Sequence, residues 1–141
     1  MRMRFSVLGF ALTRKINNIM KTYYDERPTV IEAVGDGGWY YRWNINEVQF
    51  ESEDAPRTQW ECEQVIVYAP LTSNKIVQAV IAEVWGLDIE NKMLNEFNGA
   101  QLGIYDEATT ADKIAKYKAF LTERHALKAQ VDSDCKEAGI K

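Results

Sequence analysis

Gly35-Asp36-Gly37-Gly38-Trp39-Tyr40-Tyr41-Arg42-Trp43-Asn44-Ile45 is the stretch that decides the fold class. Its first four residues tolerate the positive φ of a tight chain reversal. Behind them the large apolar side chains Trp39, Tyr41, Trp43 and Ile45 alternate with Tyr40, Arg42 and Asn44. Alternation with period two marks a strand that buries one face. Val30, Ile31, Ala33 and Val34 precede the turn and supply the other arm of a hairpin. After a polar break over Glu51 to Arg57, which holds Glu53, Asp54 and Pro56, a third strand is expected from Gln59 to Tyr68. It puts Trp60, Cys62, Ile66 and Tyr68 on one side and Glu61, Glu63, Val65 and Val67 on the other, and Pro70 closes it.

Beyond Pro70 the period lengthens to 3.6. Ile76, Val77, Val80, Ile81 and Val84 form one stripe behind Thr72 or Ser73 as N-cap, and Gly86 ends that helix. Asp88 is placed to cap a second helix, with Met93, Leu94, Phe97 and Ala100 on one face and Asn98-Gly99 and Gly103 weakening its end. A last helix opens on Thr109 to Asp112, in the manner of a capping box, and runs to about Glu137. Its apolar arc is Ile114, Tyr117, Phe120, Leu121, Leu127, Val131 and Cys135. The expected fold is therefore α+β, an antiparallel three-stranded meander followed by two or three packed C-terminal helices.

With 141 residues, 46% of them hydrophobic and 27% charged, the chain has enough apolar surface for one core without a disulfide or metal. Charge is divided unevenly: residues 1–24 hold five basic side chains and no acid, and residues 25–141 hold 12 basic and 21 acidic ones. An acidic body repels phosphate backbones, so nucleic-acid binding by it is not expected. The apolar run Phe5 to Leu12 is too short for a membrane span, and Arg14, Lys15, Asn17 and Asn18 stand where a cleavage site would follow a signal sequence. No membrane partner is expected. Residues 1–19 read as a basic leader, either an arm that docks on an acidic surface or a stretch upstream of translation starting at Met20, and residues 20–141 as a single α+β domain. Cys62 and Cys135 lack CxxC or Cys/His spacing, which fits reduced thiols better than a zinc site and leaves a bridge between them open.

Few residues carry chemistry. The only histidine, His125, finds at helical spacing Thr122, Leu121 and Ala126 to Ala129, none of them a convincing catalytic partner, and a surface position explains it. In Asp132-Ser133-Asp134 the i and i+2 carboxylates of a helix diverge, which points to a solvated face and not to a metal pair. The glycine-rich turn at 35–38 lacks the lysine and following helix of a phosphate cradle. Glu51, Glu53 and Asp54 against Asp106 or Glu107 would be the carboxylates of a small hydrolase, the weakest of three readings. No catalytic residue, metal site or cofactor is expected. The candidate binding residues are Tyr40, Arg42 and Asn44, shown on the sheet face that helices leave uncovered, and Arg124, a charge inside the apolar arc of the last helix that needs a partner or an exit to water.

The runs Trp39-Tyr40-Tyr41-Arg42-Trp43-Asn44-Ile45, Trp60-Glu61-Cys62-Glu63 leading into Val65 and Val67, and Lys75-Ile76-Val77-Gln78-Ala79-Val80-Ile81 together resemble small proteins encoded in phage and prophage structural regions of gut Bacteroides-type bacteria. Tyr117 to Arg124 and Ala126 to Asp132 are similar to the closing helix of those chains, and the resemblance spans residues 29–138. It implies a non-enzymatic accessory protein of the virion or of its assembly, contacting itself or a larger tail or capsid protein, cytoplasmic during assembly and then virion-associated. It supplies no site residues. The alternative function is a small module that takes glycan or another ligand on its aromatic sheet face.

Overall fold

The computed structural model describes residues 2–3, 21–51 and 55–141. The fold is α+β. Five antiparallel strands, β1 (Arg2–Met3), β2 (Thr22–Tyr24), β3 (Ile31–Gly35), β4 (Gly38–Glu51) and β5 (Arg57–Tyr68), precede α1 (Ser73–Val84), α2 (Gly86–Gln101) and α3 (Glu107–Ala138). The expected meander is present as β3, β4 and β5, and two short strands extend it: β2 pairs with the far edge of β5, and β1 pairs with β4 beside Phe50 and Glu51. Both escape a pattern reading because two or three residues cannot establish a period. Arg2 and Met3 thus belong to the sheet, whereas the rest of residues 1–19, and Glu53 and Asp54 of the polar break, lie outside the described residues. Among the described residues no helix is long and apolar enough to cross a membrane.

The β3–β4 turn uses the conformations its residues suggest. Gly35, Asp36 and Gly37 all have positive φ, at 90°, 52° and 75°. Trp39, Tyr41 and Trp43 then share one sheet face with Val67, Val65 and Glu63, their partners across β5. Ile45 does not follow them. Asn44, at φ 51°, inserts one extra residue into β4, so that Trp43 opposes Glu63 but Asn46 opposes Glu61. Past this bulge Val48 and Phe50 occupy the face that unbroken alternation would have given to Ile45.

The helices cover that face. Ile76, Val77, Val80, Ile81 and Val84 of α1 are all buried against Tyr41, Trp43, Val65 and Val67, and Phe120, Leu127, Val131 and Cys135 of α3 complete the cluster. Burying each such aliphatic side chain is worth about 1.5–3 kcal/mol, so this stripe dominates the stability of the layer. Trp85 meets Phe120 edge-on at 5.0 Å. Helix starts differ from expectation in two places. Thr72 caps α1 as its position predicts, but α2 begins at Gly86 without a side-chain cap, ahead of Asp88. At α3 the cap is Asp106, whose carboxylate accepts from the Thr109 amide at 2.7 Å; that bond holds the carboxyl below its usual range.

Asp132 and Asp134 diverge as helical geometry requires; Asp132 is exposed, as a solvated face predicts, Asp134 is half-buried, and each also makes a tether. Asp132 accepts from Ser73 Oγ at 2.7 Å and ties α3 to the start of α1. Asp134 accepts from the Tyr41 hydroxyl at 2.6 Å and ties α3 to β4. Burial and the Asp134 bond push the Tyr41 phenol far above its ordinary value, and burial beside Glu61 pushes Tyr23 up to about 12. Both phenols hold their proton more tightly in the folded chain than in the unfolded one. The stability they contribute is complete below about pH 10 and is lost as pH rises through 10 toward 12 and beyond. Urea midpoints measured across this window are expected to fall, and Tyr41→Phe should flatten the fall while lowering stability at neutral pH by about 1 kcal/mol.

Candidate functional site

The sheet face away from the helices is where Tyr40 and Arg42 are expected to be on display. Arg42 is instead 2% exposed. The cause is the path of the chain between β2 and β3, which sit on opposite edges of the sheet. Residues 25–30 must cross about 14 Å, three strand spacings, and they do so over this outer face. Arg42 is the post under that strap. Its Nη1 donates to the Thr29 carbonyl at 3.0 Å, Nη2 to Glu32 at 2.7 Å and to the Tyr24 hydroxyl at 3.0 Å, and Nε to Gln64 Oε1 at 2.7 Å. The Tyr24 hydroxyl also donates to Gln64 Oε1. The guanidinium lies between the Tyr24 ring at 4.7 Å and the half-buried Tyr40 ring at 5.1 Å. Each arm of the fork is occupied by the protein itself.

Asn44 also departs from expectation. The bulge turns its side chain toward fully buried Glu63, and Nδ2 donates to Glu63 Oε2 at 2.5 Å, so it is not part of an outer set with Tyr40 and Arg42. The three residues are near in sequence but the structure does not bring them together on one open surface. The large apolar residues that the outer face exposes are Val34, Ile66 and Tyr68. Cys62 lies buried on the Arg42 side of β5 and Cys135 in the helix-side core; both thiols are free, and the sheet stands between them. Burial raises the pKa of each, which keeps them protonated and unreactive at neutral pH.

Arg124, the fourth candidate, finds its partner in the neighbouring helix. Its Nε donates to Glu90 of α2 at 3.1 Å, and 36% of its side chain remains exposed. Lys113 meets Glu96 at 3.1 Å and Tyr117 stacks on Phe97 at 4.6 Å. Numbers rise along α2 as they fall along α3, so the two form an antiparallel hairpin. Among the described residues only one side of α2 is covered. Gly99 and Ala100 are its buried residues, whereas Leu87 and Leu94 are 69% and 43% exposed and Leu121 of α3 is 44% exposed. Two depressions flank Leu121 along the hairpin, one of about 590 Å³ floored by Phe97, Tyr117 and Leu121, the other of about 350 Å³ between Leu87, Leu94 and Arg124. His125 is exposed on the wall of the first, beside Lys118. Among the described residues no group of three or more His, Cys, Asp or Glu could hold a metal ion.

Comparison with family models, with curated proteins and with solved structures finds no match. The hairpin surface is the feature that a sequence reading misses. Leu121 falls in the predicted buried arc because its spacing fits, and Leu87 carries no signal by itself; both are exposed because no element of the described fold packs on the far side of α2.

Arg42→Met is expected to lower stability by about 2 kcal/mol, since it strands the Thr29 carbonyl under the strap and takes one of two donors from Gln64, whereas half-exposed Glu32 turns to water. Arg42→Lys should recover little, because one ammonium cannot reach partners arranged around a planar fork. Urea denaturation measures both, and a loss under about 0.5 kcal/mol in the methionine variant would mean the guanidinium does not hold the strap.

Proposed function

We propose that this protein acts without catalysis, through protein–protein contact, as an accessory component of a phage or prophage particle or of its assembly. The observation that supports contact is the α2/α3 hairpin. Leu87, Leu94 and Leu121 stand exposed along it beside two apolar depressions, a concentration of apolar surface of the kind that marks interaction sites. The phage or prophage setting rests on the resemblance carried by residues 29–138.

The alternative reading, a module for glycan or another ligand on the aromatic sheet face, has less support. The polar group it needs most, the Arg42 guanidinium, is engaged by Tyr24, Thr29, Glu32 and Gln64, and the Tyr40 ring packs against it. Its remaining basis is the exposed apolar trio Val34, Ile66 and Tyr68.

Gradient sedimentation of an induced prophage that expresses the tagged chain tests the proposal. The chain is expected to travel with particles or assembly intermediates, and Leu94→Glu with Leu121→Glu should release it to the top of the gradient without changing its circular dichroism. A wild-type chain that stays at the top and binds a glycan array would overturn the assembly reading in favour of the module.

A further inference from the structure

The hairpin surface has a charge pattern as well as an apolar one. Helix α2 carries three acids, Asp88, Glu90 and Glu96, and one lysine. The stretch of α3 from Lys113 to Lys128 that runs beside it carries five basic residues and one acid. Lys116 and Lys128 pair with Asp112 and Asp132 of α3 itself, and Lys113 with Glu96, so the charges that line the groove are Glu90 on the α2 wall and Lys118 and Arg124 on the α3 wall. Between them the axial order is set by the contacts already described: Glu90 lies level with Arg124, Leu94 borders the same depression as Leu121, and Phe97 lies level with Tyr117.

We propose that a second copy of the chain occupies this face, the two hairpins packing across a two-fold axis parallel to their helices to form an antiparallel four-helix bundle. This deepens the contact reading above and rests on it. Rotation about such an axis keeps every residue at its own axial level and lays α2 of one copy on α3 of the other. Glu90 of each copy then meets Arg124 of the other. A two-fold axis across the helices would instead set α2 on α2 and α3 on α3, like charge on like, which electrostatics disfavours.

The layers that result are specific. At the level of Glu90 and Arg124 the two copies form an alternating square of two carboxylates and two guanidiniums, and each Arg124 gains a second acidic neighbour for the part of its side chain that is exposed in the single chain. One turn along, Leu94 and Leu121 of both copies close an apolar layer over residues that are now 43% and 44% exposed. The size is sufficient. A face of two helices, about 24 Å long and 20 Å wide, buries on the order of 1,200 Å² over both partners, the lower end of the range for stable protein interfaces.

Sedimentation velocity of the full chain, from micromolar to hundreds of micromolar, is expected to show a species of twice the 16.2 kDa chain mass. Leu121→Glu, at an exposed position, should be monomeric, with a urea midpoint equal to that of the wild type when both are diluted to where the wild type is a monomer. The deciding experiment uses two single variants. Glu90→Arg makes the square wholly positive in a homodimer and Arg124→Glu makes it wholly negative, so each alone should dimerise at least about tenfold more weakly than wild type. Mixed in equal amounts, they should restore a dimer. One chain then brings two guanidiniums to the square and the other two carboxylates, and every contact across the axis joins opposite charges. Rescue on mixing cannot arise within one chain, where both variants still carry like charges. A wild-type dimer with no rescue on mixing overturns this geometry. A wild-type chain that is monomeric throughout overturns the dimer, and if it still travels with particles the contact reading stands; a dimer that leaves the particles is the reverse case.

Discussion

The Arg42 guanidinium under the 25–30 strap is the constraint on which the outer half of the structure depends. A chain that places β2 and β3 on opposite edges must carry a connection across one face of the sheet, and a six-residue connection has no room for a core of its own. It can be held only by something already standing on the sheet. Arg42 supplies hydrogen bonds in three directions from a rigid plane, and the Tyr24 and Tyr40 rings fix that plane by stacking on it. A buried cation is costly to desolvate, and here the Glu32 carboxylate and neutral oxygens compensate it fully. The arrangement closes the face to polar ligands at this point, which is why the aromatic run serves structure before recognition.

On the other face the organising tie is smaller. Tyr41 stands near the start of β4 with its ring in the helix-side core and its hydroxyl on Asp134, so a single residue sets both the packing and the axial position of α3. With that helix fixed by its C-terminal half, its N-terminal half projects along α2 and not along the sheet. Among the described residues helix α2 therefore receives cover from one side only, and its apolar residues exceed what that side can bury. The exposed hairpin face is a direct consequence of where α3 is anchored.

How much of this is legible in the sequence depends on whether a local period exists. The alternation from Trp39 to Trp43, the glycine turn before it and the stripe from Ile76 to Val84 each repeat often enough to define a face, and each is found as read. The period fails at Asn44. One residue at positive φ shifts all that follows, and no residue type at that position announces the bulge: asparagine tolerates φ 51° without requiring it. The same limit explains Arg42. Its place on the outer face follows from parity, but its burial follows from a strap whose route depends on strand order, a non-local property. Arg124 reads as a charge in need of a partner; which residue answers it, Glu90, depends on the antiparallel docking of α2.

The amino-acid sequence by itself determined the α+β class, the hairpin turn, the helical C-terminal half and the residues of α1 that fill the core, because these follow from steric and hydrophobic periods only a few residues long. Only the tertiary structure decided which face of the sheet is open, where the bulge resets the register, and that Leu87, Leu94 and Leu121 end exposed on the α2/α3 hairpin. Those depend on which elements meet, and burial is a property of the meeting and not of the residue.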